Sequence, residues 1–165
     1  MMAFFNALPG SVAQGMIWGL MAIGVYISYK ILDIADLSVD GSICTGGCVF
    51  AVLLTAGVPV WLAVIVAFLA GALAGVLTGV LHTSLGIPAI LSGILTQLIL
   101  YSVNLAILGG KSLVAVDYRS YDLLLNMSNN PMAIVTMVGI IAATIVCLWL
   151  FFYTEVGLTL KSTGR

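Results

Sequence analysis

Charged side chains are scarce in this chain, which has 165 residues but only five Lys or Arg, six Asp or Glu and one His. Charged residues make up 7% of the sequence, whereas a soluble domain typically has about 25%. Because there is no cluster of basic residues, nucleic acid is not expected as a partner. The low charge, together with 62% hydrophobic residues, indicates an integral membrane protein surrounded by lipid.

The residue sets that usually carry catalysis or bind metals are also missing. The sequence has no recognisable Ser-His-Asp set, no H-E-x-x-H helix and no phosphate-binding glycine loop with its Lys. A structural zinc site needs about four ligands, but Cys44, Cys48 and Cys147 are accompanied by a single histidine, His82. All three cysteines lie in apolar stretches, so we interpret them as packing residues. We therefore expect no catalytic residue, no metal and no cofactor.

Long apolar runs predict an all-α, polytopic membrane bundle of about five spans, since a bilayer core of about 30 Å needs about 20 helical residues. The runs cover roughly residues 11–31, 43–54, 59–81, 87–108 and 131–153. The second run is too short to cross alone. It crosses if its helix begins near Ser38, or it is broken and partly re-entrant. A short interfacial helix is predicted near residues 118–125.

A group of carboxylates and hydroxyls follows the first span. A carboxylate at membrane depth costs about 2.5–3.5 kcal/mol on insertion scales, so it normally faces a cavity or a partner. One interpretation is a solvated turn whose Asp and Ser side chains cap the next helix. The other is a broken helix whose positive N-terminal end points at substrate. Asp36, Ser38, Asp40 and Ser42 are therefore candidate pathway residues.

The fourth span carries Gln97, Tyr101 and Asn104, whose spacing places them on one helical face. Hydrogen bonds between membrane helices are worth about 0.6 kcal/mol on average. The spacing fits such bonds and the lining of a solute pathway equally well. We therefore keep the three residues as further pathway candidates.

Glycine repeats every four residues in the third span, at Gly71, Gly75 and Gly79. This spacing places three small residues on one face, where another helix can approach closely. We predict that this face packs against a helix. Lys and Arg in the short loops favour a cytoplasmic C-terminus and an external N-terminus.

Two motifs resemble signatures of ABC-importer permeases, the inner-membrane subunits of the ribose and branched-chain amino-acid importer group. The stretch ADLSVDGS, residues 35–42, is similar to an I-D-L-S-V-G-S element between the early spans of that group. The end of the chain resembles its T-x-x-G-x-x-x-[RK]-[AS]-x-G pattern, with Lys-Ser where Arg-Ala is usual. The matching positions are Thr154, Gly157, Lys161, Ser162 and Gly164. NLAILGGK, residues 104–111, looks closest to putative tryptophan or other amino-acid importer permeases.

The resemblance implies a transport subunit and not an enzyme. It implies three partners in a bacterial inner or plasma membrane: an ABC ATPase subunit that hydrolyses ATP, an extracytoplasmic substrate-binding protein and a second permease copy. The implied solute is small and polar, an amino acid first and a sugar or nucleoside second. Such subunits usually hold eight to ten spans in two related halves. We therefore expect residues 1–165 to form a single transmembrane permease domain, the N-terminal portion of a longer subunit. Residues 154–165 would be a cytoplasmic segment leading into the ATPase-docking loop.

An alternative class is a self-contained membrane protein, either an oligomeric channel or a scaffold for partner helices. The glycine repeat of the third span suits such an assembly. The charges cluster near the ends of the predicted spans, whereas an ion channel often places ionisable rings along its pore. This distribution favours the permease over the channel.

Overall fold

The structure, a computed structural model, describes residues 2–31, 33, 36–116 and 131–163. Within these ranges it contains six helices and no strand, which confirms the all-α prediction. They are α1 (Met2–Ile31), α2 (Val39–Thr55), α3 (Val60–Thr83), α4 (Ala89–Ile107), α5 (Pro131–Tyr153) and α6 (Glu155–Thr163). The predicted interfacial helix at residues 118–125 lies outside the described residues, as does Gly164.

Four of the helices are long and apolar enough to cross a membrane, and α2 is a shorter apolar helix. The four segments are Gly10–Lys30, Val60–Thr83, Ala89–Ile107 and Val135–Tyr153. Their positions agree with the predicted spans. The second run is one unbroken helix from Val39, so its start agrees with the alternative near Ser38, but with 17 residues it is shorter than the four candidate spans. The first helix is longer than predicted, because it begins at Met2 and not near Ser11.

The described helices form two compact units. One contains α1, α5 and α6, with α1 packed against α5 and α6 following α5. The other, called here the three-helix unit, contains α2, α3 and α4, each in contact with the other two. That the whole chain acts as one permease domain stays a prediction.

Glycine lets α2 lie close to both of its neighbours in the three-helix unit. An ideal Cβ at Gly46 of α2 would lie 3.3 Å from the carbonyl oxygen of Ala67 on α3. A Cβ at Gly93 of α4 would lie 2.9 Å from the backbone nitrogen of Leu37, just before α2. Close backbone packing of this kind is what holds membrane helices together, since lipid tails are as apolar as leucine.

These contacts also define the direction of the helices. Gly46 of α2 faces Ala67 of α3, and the Ser42 carbonyl oxygen lies 3.6 Å from a Cβ position at Gly71, so α2 and α3 are antiparallel. Leu37 lies at Gly93, and the next turn of α2 lies further along α4, so α2 and α4 are parallel.

As a result, α2 begins deep inside the three-helix unit. The 24 residues of α3 extend about 36 Å. With Ser42 level with Gly71, Ser38 is level with Gly75, and α3 continues roughly 12 Å past that level. The first turn of α2 therefore lies within roughly 6 Å of the midpoint of α3 along its axis. The non-helical residues 36–38 lie at about this level.

The two hairpin turns of the unit depend on glycine and one histidine contact. Gly57, between α2 and α3, has φ +80°, and Gly86, between α3 and α4, has φ +66°. Other residues rarely adopt this left-handed backbone region. His82 Nδ1 lies 2.8 Å from the carbonyl oxygen of Ile87, which ties the end of α3 to its turn. His82 thus contributes to the turn structure.

We predict that Gly93→Ala destabilises the three-helix unit by about 1–3 kcal/mol, because the new methyl group overlaps the backbone before α2. Gly79→Ala is the matched control: it also lies inside a helix, but its Cβ position has no atom within 4 Å. Removing that glycine should raise stability by about 0.5–1 kcal/mol. Thermal unfolding in detergent measures both, and equal unfolding temperatures would contradict the proposed contact.

Candidate functional site

The start of α2 gathers several polar groups at this depth. Asp36 Oδ1 accepts a 2.8 Å hydrogen bond from the backbone N–H of Ser38. Ser38 is the N-cap residue and is only 1% exposed, but its own side chain makes no capping bond. Ser42 Oγ donates to the Ser38 carbonyl oxygen at 3.0 Å. The first N–H groups of a helix have no intrahelical acceptor and carry partial positive charge. The site thus combines a carboxylate with helix N–H groups.

A second carboxylate lies on the side of α2 that faces α4. Asp40 is in the first turn of α2, and its Oδ2 accepts a hydrogen bond from Gln97 Nε2 at 3.4 Å. The distance is long for such a bond, and both groups are at least partly accessible. This pair links α2 and α4 at the level where α2 begins.

An open groove of about 500 Å³ runs along α2 and α3 from this polar end. Asp36, Ser38 and Ser42 supply its polar groups. Its remaining lining is apolar or glycine: Val39, Ile43, Gly46, Ala67, Phe68, Gly71, Ala72 and Gly75. The volume lies in the range of about 300–1,000 Å³ that is usual for small-molecule sites. A molecule with a charged head and an apolar body matches this distribution.

Metal binding finds no support in the part of the chain that the structure describes. No group of three or more His, Cys, Asp or Glu side chains lies close enough there to hold an ion. Cys44, Cys48 and Cys147 are free thiols, and the first and last of them are exposed.

Residues 8–165 match a protein family described as the permease component of the branched-chain amino acid transport system. The chain belongs to this permease family. The match covers all six helices apart from the first residues of α1. With its apolar helices, the chain is therefore a multi-pass membrane protein.

Two curated relatives of the permease extend this result. A tyrosine transport system permease protein of Clostridioides difficile is 39% identical over 153 residues, which cover 93% of this chain and 50% of the relative. An uncharacterized protein of Rickettsia prowazekii is 31% identical over 159 residues, which cover 96% of this chain and 55% of the relative. The chain thus spans about half the length of the curated relatives it matches. No solved structure matches it.

The predicted pathway residues have different surroundings in the structure. Three of the α2 candidates line the groove, while Asp40 and Gln97 pair on the α4 side. Tyr101 is 74% exposed, whereas Asn104 is 6% exposed and lies inside the unit. Gln97, Tyr101 and Asn104 therefore do not share one environment, although their spacing places them on neighbouring parts of α4. Their role in transport stays a prediction.

The predicted packing glycines also differ from one another. Gly71 approaches the Ser42 carbonyl oxygen at 3.6 Å, but Gly75 and Gly79 have no described atom within 4 Å of a Cβ position. Within the three-helix unit, the closest contacts between a glycine and the backbone of a neighbouring segment belong instead to Gly46 and Gly93, which sequence analysis missed. Each is a glycine inside a helical run, and that signal alone does not tell a packing glycine from a tolerated one.

The segment predicted to couple to the ATPase begins with a tight corner between α5 and α6. Thr154 Oγ1 accepts a 3.4 Å hydrogen bond from the Gly157 N–H, the usual N-cap arrangement, and donates a 2.6 Å bond to the Phe151 carbonyl oxygen. A Cβ at Gly157 would overlap that oxygen and the Cα of Phe152. The T-x-x-G pattern therefore has a structural explanation: the threonine caps α6, and the glycine leaves room for the backbone at the end of α5. Lys161 and Ser162 follow on α6, where Ser162 Oγ donates to the Thr159 carbonyl oxygen at 2.7 Å.

We predict that Asp36→Ala lowers the stability of the three-helix unit by about 1 kcal/mol, because the Ser38 N–H loses its acceptor. Asp36→Asn keeps an oxygen at the same position and should remain close to the wild-type stability. The two variants lose the same charge, so their difference isolates the hydrogen bond. Thermal unfolding in detergent checks this, and equal losses would show that the bond is not what stabilises the turn.

Proposed function

We propose that this chain is a transmembrane subunit of an ATP-driven importer of an amino acid, and that the solute passes the start of α2. One observation carries the proposal: α2 begins inside the three-helix unit, about 12 Å before the end of α3 and about 6 Å past the start of α4, beside the groove that Asp36, Ser38 and Ser42 line. Helices that begin near the membrane midplane present partial positive charge to polar solutes in many transporters. Membership of an amino-acid permease family supports the same function.

The polarity of the groove suggests how an amino acid is oriented in it. The Asp36 carboxylate favours the ammonium group, and the first N–H groups of α2 favour the carboxylate. The apolar body then lies along Ile43 and Phe68, which are 48% and 76% exposed. An apolar or aromatic side chain gains most from this wall. The name of the tyrosine transport relative agrees with an aromatic solute.

Transport requires partners that supply energy and substrate. We propose an ABC ATPase, an extracytoplasmic substrate-binding protein and a second permease copy, assembled in a bacterial cell membrane. Such an importer works when ATP binding favours one of two conformations of the membrane subunit. The chain itself then needs no catalytic residue, because its task is to change which side the groove faces.

The α5–α6 corner is the proposed coupling element. Because Thr154 and Gly157 hold α6 directly against the end of α5, a force on α6 reaches the membrane helix without a flexible joint. We propose that the segment from Thr154 onward, including Lys161 and Ser162, faces the ATPase in the cytoplasm.

Filling the groove tests the route. Gly75→Leu places a side chain in it without a backbone clash, since no described atom lies within 4 Å of that Cβ position. We expect uptake of labelled tyrosine by vesicles containing the complete transporter to fall roughly tenfold or more. Gly79→Leu is the matched control, because it is equally open but does not line the groove. Full uptake in the Gly75 variant, or equal losses in both, would contradict the proposed route.

Coupling is tested at the corner. Gly157→Ala forces α6 away from α5, so both ATP hydrolysis stimulated by the loaded binding protein and solute uptake should fall, by about tenfold. Gly139→Ala on α5 is the control, since its Cβ position is open. Normal stimulation and uptake in the Gly157 variant would exclude the corner as the coupling element.

A further inference from the structure

The side-chain oxygen of Asn104 is buried inside the three-helix unit without a hydrogen bond. Asn104 is 6% exposed, and its Oδ1 finds no donor in the described part of the chain. Leaving a buried acceptor unpaired costs about 1–3 kcal/mol. Leucine at this position has a similar size and would avoid that cost.

Several other buried polar side chains of the unit form hydrogen bonds. Thr45 Oγ1 donates to the Gly41 carbonyl oxygen at 2.9 Å, and Ser92 Oγ donates to the Ala89 carbonyl oxygen at 2.8 Å. Hydroxyl groups can donate to their own helix in this way. The Oδ1 of an asparagine only accepts, and the free N–H groups of α4 lie at its distant start. A hydrogen-bond donor for Asn104 Oδ1 must therefore come from outside α4.

Asn104 lies on the face of α4 that approaches α2. Leu100, one turn earlier on the same face, reaches within 3.2 Å of a Cβ position at Gly41. Asn104 is three residues before the end of α4 at Ile107, or about 4.5 Å along the helix axis. Two turns separate it from Gln97 and the contact with Asp40. The seam between α2 and α4 thus holds polar groups near the start of α2 and near the end of α4.

We propose that Asn104 Oδ1 is an acceptor for a mobile N–H or O–H donor that enters the seam between α2 and α4. The donor is the ammonium group of the transported amino acid or a water molecule of its route. The statement that the donor belongs to an amino acid rests on the proposed function. The unpaired acceptor itself rests only on burial and contacts.

Asn104→Leu is the test variant, with Thr45→Val as the matched control. The Leu variant should raise the unfolding temperature by about 2–4 °C, since it removes the unpaired acceptor. In vesicles containing the complete transporter, it should slow tyrosine uptake at least fivefold. Thr45→Val replaces a hydroxyl that is already paired with its own helix and should change neither value appreciably. Full uptake by Asn104→Leu, whatever its unfolding temperature, would overturn the proposal.

An infrared measurement identifies the donor without relying on transport. The chain is labelled with asparagine carrying ¹³C in its side-chain carbonyl, and subtracting the spectrum of labelled Asn104→Leu isolates one band. A hydrogen bond shifts this band to lower frequency. A shifted band before solute is added identifies water, and a shift upon adding tyrosine identifies the solute. A band at the free-carbonyl frequency in both states would overturn the proposal. If the wild type takes up no amino acid, the proposed function fails, while this band still decides whether Asn104 receives a donor.

Discussion

The close approach of α2 to both α3 and α4 is the constraint on which the three-helix unit depends. In lipid there is little hydrophobic gain from burying one apolar helix against another, so association relies on close packing and on a few polar contacts. Gly46 and Gly93 provide that packing, because a methyl group at either position would press on a neighbouring backbone. Their contacts place α2 in one register against both partners.

That register determines where the polar groups of the unit lie. Since α2 starts inside the three-helix unit and not at the tip of the α3–α4 hairpin, Asp36 and Ser38 lie beside the neighbouring helices. The carboxylate is stabilised there by the Ser38 N–H and by the positive end of the helix. The same offset leaves α3 without an α2 neighbour past Gly75, and the groove between the two helices extends to that level. The offset between α2 and the α3–α4 hairpin therefore explains the position of Asp36 and Ser38, the stabilisation of the carboxylate and the extent of the groove.

The corner between α5 and α6 has a different origin, because it is built from neighbouring residues of the chain. Thr154 caps α6, and Gly157 is the residue that allows α6 to turn back against Phe151. A local motif of this kind leaves a pattern in the sequence, here the three-residue spacing of Thr154 and Gly157. By contrast, Gly93 and Leu37 are more than fifty residues apart in the sequence, and no pattern in either segment predicts their contact.

The sequence by itself determined that the chain lies in lipid, that its fold is all-α and where its spans lie. Apolar runs of sufficient length have few other stable forms in lipid. It also determined the turn at Thr154, because local hydrogen bonds depend on adjacent residues. Only the tertiary structure decided that Asp36 and Ser42 share a groove, that Tyr101 is exposed while Asn104 is buried, and that Gly46 and Gly93 form the tight contacts. Helical spacing assigns a residue to a face, but the neighbour of that face depends on the register between helices, which is set by contacts distant in the chain.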